Sequence, residues 1–431
     1  MVERETAEYG LKILKKLGAD KAQCVLSGSQ QWELNVEAGL ISLVRTTYNN
    51  ALQFKVIKDN RQGVASSNKT DRKAIDETAE SAMEIASASQ PDSAYDIADK
   101  QEPGVFAAGL VQPDMETMYE RLETFVQQAK QEFPRTILEQ AVLEFTLRTS
   151  YFLNSNDVNF ETTKGLHGFW VMFTSKEGKK TSSFNYSGVS TKELDKDLMR
   201  YGSVHELLKQ SDEQVDTRSL KGKFEGDVLN TPDCLSDFIG YFTGTFLSDH
   251  SLIAGTSILK DRLNGEVASS RFTLHCKPLA EEIADNYFVT ADGYKAQNST
   301  LVERGVLRSF LLSLYGSRKT GKERAVNNGG AYIVEPGDRS LDDIVGSVDK
   351  GILLCRFSGG HPSENGDFSG VAKNSYYIEK GAIRYPVEET MISGNVSELF
   401  NKIKAISKER INFGSAVYPW LLASGLTVSG K

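Results

Sequence analysis

Histidine and cysteine are the scarce chemistry-capable side chains of this sequence, five and four among 431 residues. His205-Glu206, followed by Leu207-Leu208-Lys209, opens like the H-E-x-x-H helix on which two His one turn apart hold a metal and the Glu acts as base. Lys209 stands where the second His is needed, and an ammonium has no lone pair to offer a metal, so the segment reads as an exposed helix. His275 and Cys276 are neighbours, which on a strand sends them to opposite faces and keeps them from sharing an ion. Cys355 and His361 flank Ser358-Gly359-Gly360 and have the side chains of a thiolate nucleophile and its base, although Cys most often behaves as a small buried apolar residue. No phosphate-binding loop, dinucleotide fingerprint or G-x-S-x-G elbow is present. Cys24, Cys234, Cys276 and Cys355 are too scattered for a C-x-x-C metal pair and too few for a disulfide framework; reduced, mostly buried thiols are expected.

Any such groups must be positioned by more than one core, because a chain of this length exceeds what a single core organises and predicts two or three domains. The net charge of -8 disfavours direct contact with nucleic acid or anionic lipid, both of which need clustered Lys and Arg. The first residues lack the apolar stretch of a secretion signal, and no run of about 18 apolar residues follows, which predicts a soluble cytoplasmic protein.

Leu11, Ile13, Leu14 and Leu17 predict an opening helix that stops at Gly18-Ala19-Asp20. Short strands are predicted over residues 23–26, 33–36, 41–45 and 52–57, with turns at Gly28, Gly39 and Asn49-Asn50. Ile75, Ala79, Ala82, Met83 and Ala86 recur at helical spacing, and the polar, Pro-bearing stretch 91–113 reads as a linker. A helix over 115–133, strands across 143–186 and a helix over 192–210 repeat the helix, meander, helix order and suggest a duplication. Beyond Lys223 come Gly-rich turns and short strands, with helices at 233–246 and 397–406. The expected fold is α+β, with antiparallel sheets and flanking helices: an N-terminal domain 1–90, a linker 91–113, a middle domain 114–222 and a β-rich C-terminal domain 223–431.

Several passages in the C-terminal half carry a family resemblance. Gly255-Thr256-Ser257, followed by Leu263-Asn264-Gly265-Glu266-Val267-Ala268-Ser269, resembles the GTS…G-E-x-V-A-S passage of the TldD/PmbA family. Leu301-Val302-Glu303-Arg304-Gly305-Val306-Leu307, Gly366-Asp367-Phe368-Ser369, Ile378-Glu379-Lys380-Gly381-Ala382-Ile383, Pro386-Val387 and Ile392-Ser393-Gly394-Asn395 follow in that family's order. Gly18-Ala19-Asp20-Lys21-Ala22 and Val36-Glu37-Ala38-Gly39-Leu40-Ile41 resemble its opening pattern. Gly359, Gly360, Gly366, Asp367, Phe368 and Ser369 are candidates for peptide binding or, on the chemistry of Gly and Asp alone, for turns.

Catalytic TldD-type members resemble zinc peptidases, with H-E-x-x-x-H upstream of the GTS passage and a further Cys ligand near the C-terminus. Counting back from Gly255 puts Gly240, Tyr241 and Thr245 at the His and Glu positions, and Ser415 lies in the region of the Cys. Between residues 231 and 254 the only His is His250 and there is no Glu. The resemblance therefore implies the PmbA/TldE branch, with no catalytic or metal-binding residue on this chain. Zinc or a similar metal would reside on a TldD-like paralogue, with unfolded peptide as substrate and a homodimer when the chain is alone. Two alternatives stay open: a binding protein affecting DNA gyrase indirectly, after the historical family label, and a homodimer with peptidase activity of its own.

Overall fold

The structure is a computed structural model and describes residues 2–388 and 390–430. Helix α1 (Arg4–Lys16) buries Ala7, Gly10 and Leu14 on one stripe, and the chain leaves it through Gly18 at positive φ. Strands β1 (Lys21–Glu37) and β2 (Leu40–Lys58) form one long hairpin closed by Ala38-Gly39, both at positive φ as its two-residue turn requires. The four short strands expected here are thus two long ones. Gly28 and Asn50 are ladder partners rather than turns; Gly28 leaves room for Val2, whose side chain lies 3.1 Å from where a Cβ would stand. Strand β3 (Arg61–Ser67) returns along β2, and α2 (Arg72–Ala88), N-capped by Asp71, buries Ile75, Ala79 and Ala82 in the same core.

The stretch expected as a linker contributes strand β4 (Gly104–Ala108). It is followed by α3 (Met115–Glu132), N-capped by Asp114, and by β5 (Thr136–Asn154), β6 (Asn159–Glu177), β7 (Lys180–Thr181) and β8 (Asn185–Thr191). Helix α4 (Val204–Glu213) starts later than expected, after a 3-10 turn at Leu198–Arg200. The helix, meander, helix order does recur, but β1 pairs along its length with β5. Segments 1–90 and 114–222 therefore share one eight-stranded sheet ordered β3-β2-β1-β5-β6-β4, with β7 and β8 also on β6 and with β4 added by the stretch between them. Each segment alone would leave a long strand edge with unpaired N–H and C=O groups, and joining β1 to β5 satisfies both.

The C-terminal segment builds a second, mixed sheet in which Lys223–Asn230 lies between Lys350–Leu354, parallel, and Val417–Ser429, antiparallel. Helix α5 (Pro232–Phe246) starts at the Thr231 cap with Pro232 in its first turn and buries Phe238, Phe242 and Phe246. Phe242 meets Phe400 at 4.9 Å and Phe238 meets Phe368 at 5.1 Å between ring centroids. Burying each such ring contributes about 1.5–3 kcal/mol. The short helix Val396–Asn401 ends before the expected 406 because Ile403–Asn412 is a strand. The architecture is α+β, all four Cys are free and buried, and among the described residues no helix is long and apolar enough to cross a membrane.

Candidate functional site

Helix α5 shows solvent a face of small and acidic residues, Ser236, Asp237, Gly240 and Gly244. Gly240, Tyr241 and Thr245 all stand on this helix. Nothing lies within 4 Å of a Cβ built on Gly240, while Tyr241 packs its ring 5.9 Å from Phe238, 6.3 Å from Phe357 and 6.1 Å from His361. A cleft of about 230 Å³ runs along the first turns of the helix, lined by Asp233, Ser236 and Asp237, by Tyr186 on β8, by Arg356 and by Ser415. The fold thus brings Ser415 to α5, with Gly240, Tyr241 and Thr245 farther along the same helix.

Charges in the cleft are shaped by burial. It pushes the Asp233 carboxyl up to about 6, with the Asp237 and Glu206 carboxylates adding to the shift, while Ser203 donates to it at 2.6 Å. Asp237, though its side chain reaches solvent, loses enough water to the protein packed around it that its carboxyl is raised, against the Arg356 guanidinium, which pulls it down. Burial holds the Cys234 and Cys355 thiols well above their ordinary range, which disfavours the nucleophilic thiolate. Arg356 stacks on Phe184 at 4.2 Å and Tyr186 at 4.9 Å and donates to the Phe184 carbonyl at 2.7 Å, fastening the C-terminal domain to β8.

Strand β8 is bonded on one side to β6. Ser190 turns its N–H outward to the Phe413 carbonyl at 2.9 Å, so by alternation the backbone groups of Tyr186 and Gly188 also point away from β6. Asn185 and Ser187 are among the cleft's residues, and their Nδ2 and Oγ are buried without hydrogen-bond partners among the described residues. The expected metal positions do not fit zinc: a Gly, a Tyr held in an aromatic cluster, a Thr and an exposed Ser supply neither imidazole nor thiolate nor carboxylate. Among the described residues no three His, Cys, Asp or Glu gather as a metal site.

Residues 22–86 match the family profile described as PmbA/TldA metallopeptidase domain 1, and residues 222–430 match that of the PmbA/TldA metallopeptidase C-terminal domain. The chain belongs to the PmbA/TldD family. A metalloprotease PmbA homolog of Haemophilus influenzae is 25% identical over 98% of this chain and 96% of its own length. Metalloprotease PmbA of Escherichia coli O157:H7 is 23% identical over 94% and 93%. In fold, the chain is similar to TldE from Thermococcus kodakarensis, at 19% identity and TM-score 0.83 over 99% of this chain and 100% of that one. A Bacteroides thetaiotaomicron structure, named as a candidate modulator of DNA gyrase, superposes at TM-score 0.88 and 21% identity over 100% of both chains.

In the G-D-F-S passage only Gly366 belongs to the turn; Asp367, Phe368 and Ser369, expected as turn or peptide-binding residues, open the strand Asp367–Lys373. Gly366 has φ +94°, and a Cβ there would stand 2.7 Å from the Phe246 ring. Asp367 accepts from Asn395 and Asn365, both at 2.9 Å, which holds its carboxyl below the ordinary range, and Asn395 in turn caps the helix Val396–Asn401. Phe368 is buried in the core and Ser369 is exposed. Gly359 lies against the Phe357 ring and Gly360 is in open space. His205 sits on α4 with Nε2 3.1 Å from Glu132. His275 is buried between Thr300 and Glu335, both at 2.9 Å, while Cys276 turns to Tyr287 and the Gly330 carbonyl. Cys355 is buried and His361 is exposed against Tyr241, which gives the two no nucleophile–base contact. Sequence reasoning missed β8 and Arg356; the alternation of Asn185, Ser187 and Val189 inward with Tyr186 and Gly188 outward is the signal that marks the strand.

Proposed function

We propose that this chain is the PmbA/TldE-type, non-catalytic subunit of a metallopeptidase acting on unfolded peptides, in which a TldD-like paralogue holds zinc or a similar metal. The observation that carries this reading is an open cleft beside degenerate ligand positions, Gly240, Tyr241 and Thr245 on α5 and Ser415 across from its first turns. Peptide hydrolysis near neutral pH needs an activated water or nucleophile, and the cleft's own thiols are held protonated by burial. What this chain can supply is binding. On the outward edge of β8 the Ser190 N–H is bonded to the Phe413 carbonyl and the Tyr186 N–H to the Asn185 Oδ1, which leaves the main chain at Gly188 to meet an extended peptide, an arrangement that gives affinity with little demand on sequence. A dimeric chamber in the cytoplasm is part of the same proposal. The net charge of -8 lends no support to direct DNA contact.

The test is cleavage of an unfolded peptide by this chain, by a paralogue with intact H-E-x-x-x-H, and by the two mixed, each with and without chelator. The expected result is no cleavage by this chain alone and chelator-sensitive cleavage by the mixture beyond that of the paralogue alone. Chelator-sensitive turnover by this chain, free of the paralogue, would overturn the proposal, and absence of stimulation would favour the regulatory alternative.

A further inference from the structure

A cavity of about 810 Å³ lies between α3, α4 and the C-terminal domain, and of its lining residues only Asp233 is shared with the β8 cleft. One wall is apolar, made by Leu341, Val345, Leu353, Ile411 and Trp420. The other is a wall of oxygen acceptors, the carboxylates of Glu132, Asp197, Glu206 and Asp233 and the amides of Gln128 and Gln210. Two of these carboxylates are already answered, Glu132 by His205 at 3.1 Å and Asp197 by Arg121 at 2.6 Å. Glu206 makes no ion pair among the described residues. The Gln210 side chain lines the cavity at 3% exposure, and its Oε1, like that of Gln128, has no hydrogen-bond partner among the described residues. A ligand donor that reaches either oxygen would satisfy it. Arg200, exposed, is the one Lys or Arg among the lining residues.

We infer that this cavity binds an organic ammonium with an apolar body, its cation set against Glu206, Asp233 and Gln210 and its body against Val345 and Trp420. The volume suits a small ligand, since such pockets run to about 300–1,000 Å³. A carboxylate or phosphate of the same shape would meet like charge on the acceptor wall. The same chemistry is presented by a free amine and by the α-ammonium of a peptide that begins with an apolar residue. The site requires neither the paralogue nor a metal, so it stands apart from the subunit role.

Trp420 reports occupancy. In a Trp32→Phe, Trp170→Phe background it is the sole Trp of the three in the sequence. Its fluorescence is followed, with calorimetry in parallel, during titration with phenylbutylamine, phenylbutyrate, phenylalanyl-alaninamide and the N-acetylated form of that dipeptide. The expected result is saturable binding of phenylbutylamine and none of phenylbutyrate. Binding should weaken by about tenfold or more in Glu206→Lys, an exposed position, and be lost in Val345→Phe, each variant first shown to unfold at the parent temperature. Saturation by phenylalanyl-alaninamide alone, abolished by acetylation, would keep the site and identify a peptide N-terminus as its source. Equal binding of amine and acid, binding unchanged in both variants, or no saturation with either cation would overturn the inference.

Discussion

Asp292 shows how single residues hold this molecule together. Its side chain is 13% exposed, that of Arg324 is 17%, and the pair meets at 2.7 Å while Asp292 also accepts from the Leu314 N–H at 2.8 Å. Burial pushes this carboxyl upward, but hydrogen bonds from Arg324 and Thr290 outweigh it and hold it below the ordinary carboxylate range. Asp292→Asn should destabilise the chain by about 3–5 kcal/mol at neutral pH, because Arg324 is left buried and unpaired. The sign of the pH effect follows from the depressed folded-state value: the stabilisation is present above the unfolded pKa of about 3.9 and is lost as pH falls through the lower folded one. Denaturant unfolding from neutral to acid pH should therefore show the gap between parent and variant closing below about pH 4; a gap that stays constant would contradict the assignment. Residue chemistry also sets the metal expectation. With Gly240, Tyr241, Thr245 and Ser415 where the resemblance led us to expect the His, Glu and Cys of a zinc site, elemental analysis of the purified chain should find no stoichiometric zinc. About one zinc per chain, lost on substitution of His205, His250 or His275, would restore metal chemistry to this chain.

Two elements packed along α5 differ in legibility. The turn-to-strand junction at Gly366-Asp367 is readable from residue types, since Gly at positive φ and an Asp bonding its surroundings are local requirements. Gly366→Ala should cost about 1–3 kcal/mol in thermal or denaturant unfolding, from the strained φ and the clash with Phe246. Strand β8 is short and small-residued, and only its place beside α5 makes it interesting. Gly188→Pro would remove an outward N–H while leaving the ladder to β6 intact, which an edge strand tolerates. The mixed-subunit cleavage assay should lose activity severalfold with no fall in unfolding temperature; full activity would remove β8 as the peptide edge.

For the whole molecule, the open question is what covers the β1–β2 hairpin. Strand β3 pairs with β2 only from Leu52 onward, so among the described residues the outer edge of β2 from Leu40 to Ala51 has no strand partner. Leu40, Val44 and Tyr48 are 73%, 61% and 70% exposed along it. A long unpaired edge with apolar side chains is a surface that proteins normally cover, and a second copy is the simplest cover. Light scattering of the chain alone should report a dimer, and Val44→Lys with Tyr48→Lys should shift it toward monomer. A monomer for the parent at every accessible concentration would count against the chamber.

The sequence by itself determined the local features. Caps at Asp71, Asp114 and Thr231, the hairpin turn at Ala38-Gly39 and the apolar faces of α2 and α5 follow from residues a few positions apart. The side-chain types on α5 likewise state which metal donors are missing, whatever the fold around them. Tertiary structure alone decided that β1 pairs with β5, that Ser415 meets α5, and that Glu206 and Gln210 face Trp420 across one cavity. Strand pairing is made by backbone N–H and C=O groups that every residue but Pro carries, so the sequence marks a strand far better than it marks its partner.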